Sequence, residues 1–326
     1  MATTHAIRIA EFGGPEKLQW VEIDLPAPGP GELLLRQTAC GLNFIDTYHR
    51  SGLYPMSLPS GLGVEGAGVV EAVGAGVTDF KPGDRAAYCS APIGAYAERR
   101  VYPAARAVKL PPGIEDRTAA AMMLQGMTVE YLIRRTFPVE RGQTVLFHAA
   151  AGGVGLIACQ WLVHLGATVI GTVGSEEKAK LARDHGCHHT INYRKENFVE
   201  RVKEITGGKG VPVVYDGVGK DVFMGSLDCL SPRGMMVTFG NASGPVPAIE
   251  PLLLSQKGSL FLTRPTLFHY IATREELLAS ANALFDVVLS GAVKIRINQT
   301  YPLKEAARAH RDLEARRTTG STVLLP

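Results

Sequence analysis

The chain has 326 residues, enough for two domains, and 46% of them are apolar, so a sizeable core is possible. The net charge of +3 with mixed signs argues against nucleic-acid binding, and five scattered cysteines without a CxxC pair argue against a disulfide framework. No apolar run is long enough to span a membrane, and the N-terminal stretch lacks a secretion signal. We therefore expect a soluble, cytoplasmic protein without membrane or nucleic-acid partners.

Residues 1 to about 125 read as short strands separated by frequent turns. The stretch GELLLRQTACGLN alternates apolar and polar side chains, as a half-buried strand does. GVEGAGVVEAVGAGV is apolar and rich in glycine, and many prolines punctuate the region. This pattern predicts an all-β domain built as a partly open barrel.

From about residue 126, strands alternate with helices. The predicted strands are TVLFHA, ATVIGTVG, HHTINY, VPVVYDGVG and GMMVTFG, and the predicted helices between them are VGLIACQWLVHLG, SEEKAKLARDHG, ENFVERVKEITGGKG and FMGSLDCL. Fully apolar strands in this alternation predict an α/β fold with a doubly wound parallel sheet covered on both faces.

After about residue 265 the pattern changes again. TREELLASANALFDVVLSG and KEAARAHRDLEAR read as amphipathic helices, and GSTVLLP as a terminal strand. We expect this tail to return to the first domain. The predicted domains are therefore 1–125 together with 266–326, and 126–265.

A turn of small residues stands between the first strand and the first helix of the second domain. Gly152, Gly153 and Gly155 occupy the point where the backbone N–H groups of a helix N-terminus bind anions. The spacing differs from GxGxxG, but its place before two more strand–helix units predicts a dinucleotide site. A tight turn without a ligand is the alternative.

The end of the second strand bears on which dinucleotide binds. An acidic residue that binds the ribose 2′-hydroxyl of NAD is absent here, where the chain has Gly174 and Ser175. Lys178 follows in the first helical turn, and a cation there is unfavourable unless an anion is near. A 2′-phosphate is such an anion, and Tyr193 is placed to cover the adenosine. These residues favour NADPH, the alternative being a surface lysine beside an N-cap serine.

Glycines also follow the later strands. Gly217 lies after VPVVYD, and Phe239, Gly240, Asn241 and Ser243 follow GMMVT. Ligands bind at the carboxyl ends of strands in such sheets, so these positions are candidates for cofactor contacts. Ordinary turn chemistry is the alternative for either group.

These residues resemble the medium-chain dehydrogenase/reductase superfamily, and within it the NADPH:quinone reductases related to zeta-crystallin. The resemblance is densest over residues 142–163, GQTVLFHAAAGGVGLIACQWLV, and departs at Val163, where the family usually has Lys, Arg or Ser. It extends from GGPE at residues 13–16 through NFIDTYHRSGLYP at residues 43–55 to the final GSTVLLP.

The resemblance implies a GroES-like, partly barrel-shaped catalytic domain, a Rossmann domain that binds NADPH, and a quinone substrate. It also implies a homodimer joined through the Rossmann sheets, near residues 258–267. Asn43, Asp46, Tyr48 and Tyr54 match residues of the catalytic and substrate pocket. The implied cofactor contacts are Asn43, Phe44, Ile45 and Asp46 in a loop, then Thr128, Gly152, Gly153, Val154, Gly174, Ser175, Lys178, Tyr193, Phe239, Gly240, Asn241, Ser243, Thr263, Arg264, Pro265 and Arg316.

The motif of the zinc-dependent relatives is altered in this chain. Asn43 stands at the cysteine position, and Gly63-Val64-Glu65 has lost the histidine of their GHE motif. Neither Asn nor Val is a useful zinc ligand, so we expect no metal. Without a Lewis acid, alcohol oxidation is poorly supported, and reduction of a quinone by the nicotinamide is favoured. An enone reductase with the same cofactor site, and an NADPH-binding structural or RNA-binding protein, remain alternatives.

Overall fold

The computed structural model describes residues 2–326 and divides the chain into two compact units. The first unit contains the chain up to Met127, with Ile271–Leu289 and Ile295–Pro326. The second contains Thr128–Tyr270 and Ser290–Lys294. Among residues 2–326, no helix combines the length and the apolar character needed to cross a membrane.

The second unit is built on a six-stranded parallel sheet. Its strands are β9 (Thr144–Phe147), β10 (Thr168–Val173), β11 (His189–Asn192), β12 (Val211–Asp216), β13 (Leu230–Thr238) and β14 (Phe261–Thr263). They lie in the order β11-β10-β9-β12-β13-β14, so the order reverses between β9 and β12. This is the strand order of a dinucleotide-binding Rossmann fold, and the predicted doubly wound sheet is confirmed.

Helices link these strands and cover the sheet. They are α4 (Gly153–His164), α5 (Glu176–Asp184), α6 (Phe198–Ile205), α7 (Phe223–Cys229), α8 (Leu252–Gln256) and α9 (Leu267–Tyr270). Helix α5 begins where the Ser175 hydroxyl accepts a hydrogen bond from Lys178 N, and α6 where the Asn197 side chain accepts one from Val199 N. Both are N-caps of the kind that satisfy unpaired helix donors.

The first unit is rich in strands, as predicted. They are β1 (Ala2–Ile9), β2 (Gln19–Leu25), β3 (Glu32–Leu42), β4 (Ser60–Gly61), β5 (Glu65–Val73), β6 (Arg85–Tyr88), β7 (Arg99–Pro103), β8 (Val108–Lys109), β15 (Ile297–Pro302) and β16 (Ser321–Leu325). One sheet has the order β2-β1-β4, and a seven-stranded sheet has the order β15-β16-β3-β5-β6-β8, with β7 also paired to β3. The terminal strand β16 thus lies beside β3.

The first unit also contains helices, so the expectation of an all-β region before residue 125 is wrong. They are α1 (Phe44–Ser51), α2 (Asp116–Ala120), α3 (Met123–Tyr131, which continues into the second unit), α10 (Arg274–Leu289) and α11 (Ala306–Glu314). The predicted loop containing Phe44, Ile45 and Asp46 is helix α1. Asn43 is its N-cap, because Asn43 N donates to the Asp46 carboxylate at 2.9 Å and Asp46 N donates to Asn43 O at 3.0 Å.

Candidate cofactor and substrate site

The predicted site residues divide between the two units. Asn43, the α1 residues, Tyr54 and Arg316 belong to the first unit, and Arg316 is an exposed residue that follows α11 with a φ of 60°. Thr128, partly buried on α3, opens the second unit, which holds all the other predicted cofactor contacts.

The glycine turn leads directly from β9 into α4. Gly152 is the N-cap of this helix and has no side chain with which to cap it, in contrast to α5 and α6. A Cβ added at Gly152 would meet only Ala149 O, at 3.3 Å, whereas one at Gly155 would lie 2.4 Å from Ala149 O. Gly155 therefore packs the helix against the turn, and Gly152 leaves the N-terminus of the helix without a covering side chain.

His148, which we did not predict as a site residue, directly precedes this turn and anchors it through hydrogen bonds of both ring nitrogens. Its Nε2 lies 2.8 Å from the Ser226 hydroxyl, which donates to Val222 O at 2.8 Å, so Nε2 carries the proton. Its Nδ1 lies 2.8 Å from the Thr172 hydroxyl and accepts from it. Burial lowers the pKa of His148 to about 3. The imidazole is thus a neutral link between β9, β10 and α7, placed just before the turn.

The residues predicted to bind a 2′-phosphate lie together at the end of β10. Gly174 directly follows the strand, and a Cβ there would be 2.7 Å from the Tyr193 hydroxyl, so the tyrosine lies against the glycine. Ser175 accepts from Lys178 N at 3.3 Å, which brings the start of α5 next to Gly174. The side-chain amide of Asn192 donates a hydrogen bond to the Glu176 carboxylate, with 3.0 Å between Nδ2 and Oε1. The group is compact, and the Glu177 carboxylate accepts a hydrogen bond from the Ser175 hydroxyl beside it.

The ends of β12 and β13 approach each other through glycines. A Cβ at Gly240 would lie 2.3 Å from Gly217 O, and one at Gly217 would lie 3.1 Å from the Phe239 ring. Buried Asp216 closes the turn by accepting from Val218 N at 2.7 Å and from Gly219 N at 3.0 Å. Burial raises the pKa of Asp216 to about 6 against these two hydrogen bonds.

The remaining predicted contacts of the second unit lie beside these turns. The Ser243 hydroxyl donates to Val218 O and accepts from Asp221 N, so it ties the turn after β13 to the turn after β12. Gly244 N donates to the carbonyl of Asn241 at 2.9 Å. Thr263 ends β14, and Arg264, followed by Pro265, donates to Thr238 O at 3.0 Å. These contacts hold the loop residues in place on the carboxyl edge of the sheet.

In the first unit, α1 presents a cluster of aromatic side chains. The rings of Phe44 and Tyr48 have centroids 5.7 Å apart, and those of Tyr48 and Tyr54 are 5.1 Å apart. Tyr54 N also donates to Tyr48 O at 3.1 Å. His49, which we did not predict, contacts Tyr54 edge-on at 6.0 Å, and burial lowers its pKa to about 4. The two predicted pocket tyrosines are thus neighbours, joined to a neutral imidazole.

Asp46 is fully buried and holds α1 to the rest of its unit. The Tyr96 hydroxyl donates to its carboxylate at 2.8 Å, and the same hydroxyl lies 3.3 Å from His310 Nε2. Arg50 donates to His310 Nδ1 at 3.0 Å and pairs with Glu314 at 2.6 Å. Burial raises the pKa of Asp46 to about 7, while the Asn43 N–H and Tyr96 oppose the rise. Asp46 therefore anchors α1 to the interior of the first unit through hydrogen bonds.

Asn43 belongs to a second buried chain of polar side chains. Its Nδ2 donates to Glu65 at 2.6 Å, and its Oδ1 accepts from Gln125 Nε2 at 3.1 Å. The Ser321 hydroxyl donates to Gln125 Oε1 at 2.8 Å. Glu65 also accepts from Leu124 N at 2.9 Å. Of these four hydrogen-bonded side chains, Glu65 lies in a recognisable sequence motif, Gly63-Val64-Glu65. Gln125 and Ser321 lie in no motif, so the sequence alone did not point to them.

The positions that hold zinc in the zinc-dependent relatives carry residues of other types in this chain. Asn43 is engaged with Glu65 and Gln125, and Val64 is buried. Across residues 2–326, no three His, Cys, Asp or Glu side chains are grouped so that they could hold a metal ion.

Comparison with known proteins agrees with this geometry. Residues 29–112 match the alcohol dehydrogenase GroES-like domain, and residues 153–285 match the zinc-binding dehydrogenase family. A quinone oxidoreductase of Pseudomonas aeruginosa is 58% identical, over 98% of this chain and 99% of the relative. A 2-haloacrylate reductase of a Burkholderia species is 51% identical over 98% of both chains.

Among solved structures, the quinone oxidoreductase of Escherichia coli in complex with NADPH superposes with a TM-score of 0.97 at 52% identity and covers 100% of both chains. Such identity over nearly the whole length extends to both units. The chain therefore belongs to the quinone oxidoreductase family of the medium-chain dehydrogenase/reductase superfamily.

Proposed function

We propose that this protein is an NADPH:quinone reductase. The observation that carries the proposal is the 58% identity to a quinone oxidoreductase across 98% of the chain. The uncapped glycine turn at α4 and the aromatic cluster on α1 supply the two kinds of surface that this activity needs. One is an anion site for a dinucleotide, and the other is an apolar surface for a flat acceptor.

The second unit fits NADPH on its own geometry. The open N-terminus after Gly152 accommodates a pyrophosphate, and the side chains at the end of β10 accommodate a 2′-phosphate. Ser175 and Lys178 stand where an NAD-binding chain would carry an acid, and Lys178 supplies the positive charge. NADPH, rather than NADH, is therefore the cofactor, as in the complex of the Escherichia coli relative.

When bound, NADPH supplies the hydride for reduction of the acceptor. The chain contributes binding and orientation. Tyr48 and Tyr54 form an aromatic wall for the quinone, and Asn43 offers an amide N–H. Asp46 fixes the start of α1, and hence both Asn43 and Tyr48, through the hydrogen bonds that its carboxylate accepts from Asn43 N and from the Tyr96 hydroxyl.

The reaction proceeds without zinc. Neither the Asn43 amide nor the Val64 side chain is a zinc ligand, and the nearby Glu65 carboxylate is already occupied by Asn43 and by Leu124 N. The absence of a CxxC pair and the scattered cysteines, all free and buried, support a reducing, cytoplasmic location.

The protein is a homodimer joined through the edge of the Rossmann sheet. Strand β14 is the last strand of that sheet, and its Phe261 and Leu262 are 57% and 37% exposed. An apolar edge strand of this kind pairs readily with a second copy. The near-neutral net charge supports the absence of a nucleic-acid partner.

Steady-state oxidation of NADPH and NADH by 1,4-benzoquinone and 9,10-phenanthrenequinone, with and without a chelator, tests the proposal. Chelator-resistant oxidation that favours NADPH is the expected result. Loss of turnover in the chelator would overturn the zinc-free mechanism, and a preference for NADH would overturn the cofactor assignment.

Reduction of an activated C=C bond is the second candidate, because a 2-haloacrylate reductase is 51% identical over the same length. A simple enone and 2-chloroacrylate as acceptors in the same assay separate the two functions. Turnover of these acceptors without turnover of quinones would replace the first candidate by the second.

A further inference from the structure

A row of four buried side chains runs from the start of β16 to the start of β5. Ser321, Gln125, Asn43 and Glu65 are 2%, 8%, 4% and 0% exposed, so water does not compete for their hydrogen bonds. Each joins the next through one hydrogen bond, at 2.8, 3.1 and 2.6 Å. Because none of the four is open to solvent, neighbours along the row must be matched, donor against acceptor.

The direction of the row is set at one end. Leu124 N donates to Glu65 Oε1, and a Glu65 carboxylate that is ionised only accepts, so above its pKa Asn43 must turn its Nδ2 toward Glu65. Its Oδ1 must then face Gln125, which presents Nε2 and turns its own oxygen to Ser321. One negative charge thereby orients two amides.

We propose that Glu65, Gln125 and Ser321 are positioning residues that determine which end of the Asn43 amide faces the reacting ligands. In the observed direction, Asn43 has used one N–H on Glu65 and keeps the second N–H to donate to a carbonyl oxygen of the acceptor. In the reversed direction, Nδ2 would face Gln125 and the amide would offer a different pattern of donors and acceptors. The proposal rests on the proposed function and names the residues that orient one of its groups.

Protonation of Glu65 is the natural way to reverse the row, because a carboxylic acid donates. Burial raises the pKa of Glu65 to about 8, while hydrogen bonds from Asn43, Leu124 N and Met123 N oppose the rise and the charge of Asp46 adds to it. The titratable groups that face Glu65 are Asp46 on α1 and the Cys89 thiol after β6. Burial raises the pKa of Cys89 well above its ordinary value, so that thiol stays neutral.

A charge-conserving pair of substitutions separates orientation from stability. Glu65→Gln must keep its oxygen toward Leu124 N, so its new NH₂ faces Asn43 and reverses the row. Gln125→Glu in the wild-type background sets a carboxylate against Asn43 Oδ1. The double variant Glu65→Gln/Gln125→Glu restores a matched row of opposite direction. Glu71→Gln, on the same strand and paired with Arg36 and Arg99, is the matched control.

Urea unfolding and steady-state kinetics with NADPH and 1,4-benzoquinone give the readouts. We expect Gln125→Glu to be the least stable variant and the double variant to regain wild-type stability. At a pH above the pKa of Glu65, we expect the kcat/KM of the double variant to stay about tenfold or more below that of wild type, the scale of one misplaced hydrogen bond. The kcat/KM of wild type should rise through pH 8, without such a rise in Glu65→Gln, and Glu71→Gln should behave as wild type.

Recovery of both stability and activity in the double variant would overturn the proposal, because the row would then serve the fold alone. A Gln125→Glu variant as stable as wild type would also overturn it, since the direction would not be fixed. Absence of quinone turnover in wild type and Glu71→Gln refutes the proposed function instead, and the order of stabilities still decides whether Glu65 sets the direction.

Discussion

Replacing two glycines of one turn should have opposite consequences. A Cβ at Gly155 would lie 2.4 Å from Ala149 O and 2.7 Å from the Cα and C atoms of Ala150. Carbon atoms pack at about 3.5–4.0 Å, so α4 must move away from the turn by close to 1 Å. We expect Gly155→Ala to lose about 1–3 kcal/mol of unfolding free energy, because the neighbours are backbone atoms that cannot rotate away.

Gly152→Ala places its methyl group where only Ala149 O lies within 4 Å, and the backbone φ of −78° suits any residue. The fold should lose no more than about 1 kcal/mol, the preference of an N-cap for glycine over alanine. The methyl group instead projects into the space proposed for the pyrophosphate. We expect the affinity for NADPH to fall about 10- to 100-fold, the equivalent of a close contact of about 1.4–2.8 kcal/mol.

Urea unfolding of the cofactor-free protein and titration of NADPH fluorescence measure the two effects separately. Wild-type affinity for NADPH in Gly152→Ala would refute the placement of the pyrophosphate at this turn. Wild-type stability of Gly155→Ala would refute the packing argument. The two variants serve as controls for each other, because they add the same methyl group three residues apart.

Three further predictions concern other parts of the chain. Lys178→Ala should weaken binding of NADPH more than binding of NADH, by about 1–3 kcal/mol. The control Lys180→Ala, on the same helix and paired with Asp184, should change the affinities for NADPH and NADH equally. Equal losses of affinity for the two cofactors in Lys178→Ala would contradict the 2′-phosphate assignment. Phe261→Asp should shift a dimer to monomers in analytical ultracentrifugation, whereas Met224→Asp, also exposed, should not. Burial lowers the pKa of His310 from 6.5 to about 3, so the unfolded chain binds the extra proton first and stability falls as the pH drops from 6.5 toward 3. Gln can keep both hydrogen bonds but does not titrate, so His310→Gln should reduce the slope of unfolding free energy against pH by up to about 1.4 kcal/mol per pH unit in urea unfolding. An unchanged slope would exclude His310 as the source of the pH dependence.

The second unit was predictable because its signals are local. Apolar strands such as Val211–Asp216 alternate with helices that carry their own caps, as Ser175 and Asn197 do, and the order of the sheet follows from such units. The turn at Gly152 to Gly155 lies between a strand and a helix as predicted, since such a turn depends on contiguous residues, and its role as an anion site stays a prediction.

Helix α1 was missed although its start carries a signal. Asn43 and Asp46 have the spacing of a capping box, but the family resemblance implied a loop at these residues. The partners of Asn43 were beyond sequence reasoning. Ser321 is 196 residues away from Gln125 in the chain, so only the folded sheet brings them together.

The position of β16 has a consequence for the order in which the protein is made. The second unit is almost one continuous stretch, from Thr128 to Tyr270, so it has nearly all of its sequence while the ribosome is still at work on the rest. The first unit lacks a strand from within its large sheet until Ser321–Leu325 emerges to pair with β3. The second unit can thus form early, whereas the row of hydrogen bonds through Asn43 and Gln125 is complete only after Ser321, 196 residues beyond Gln125, has been synthesised.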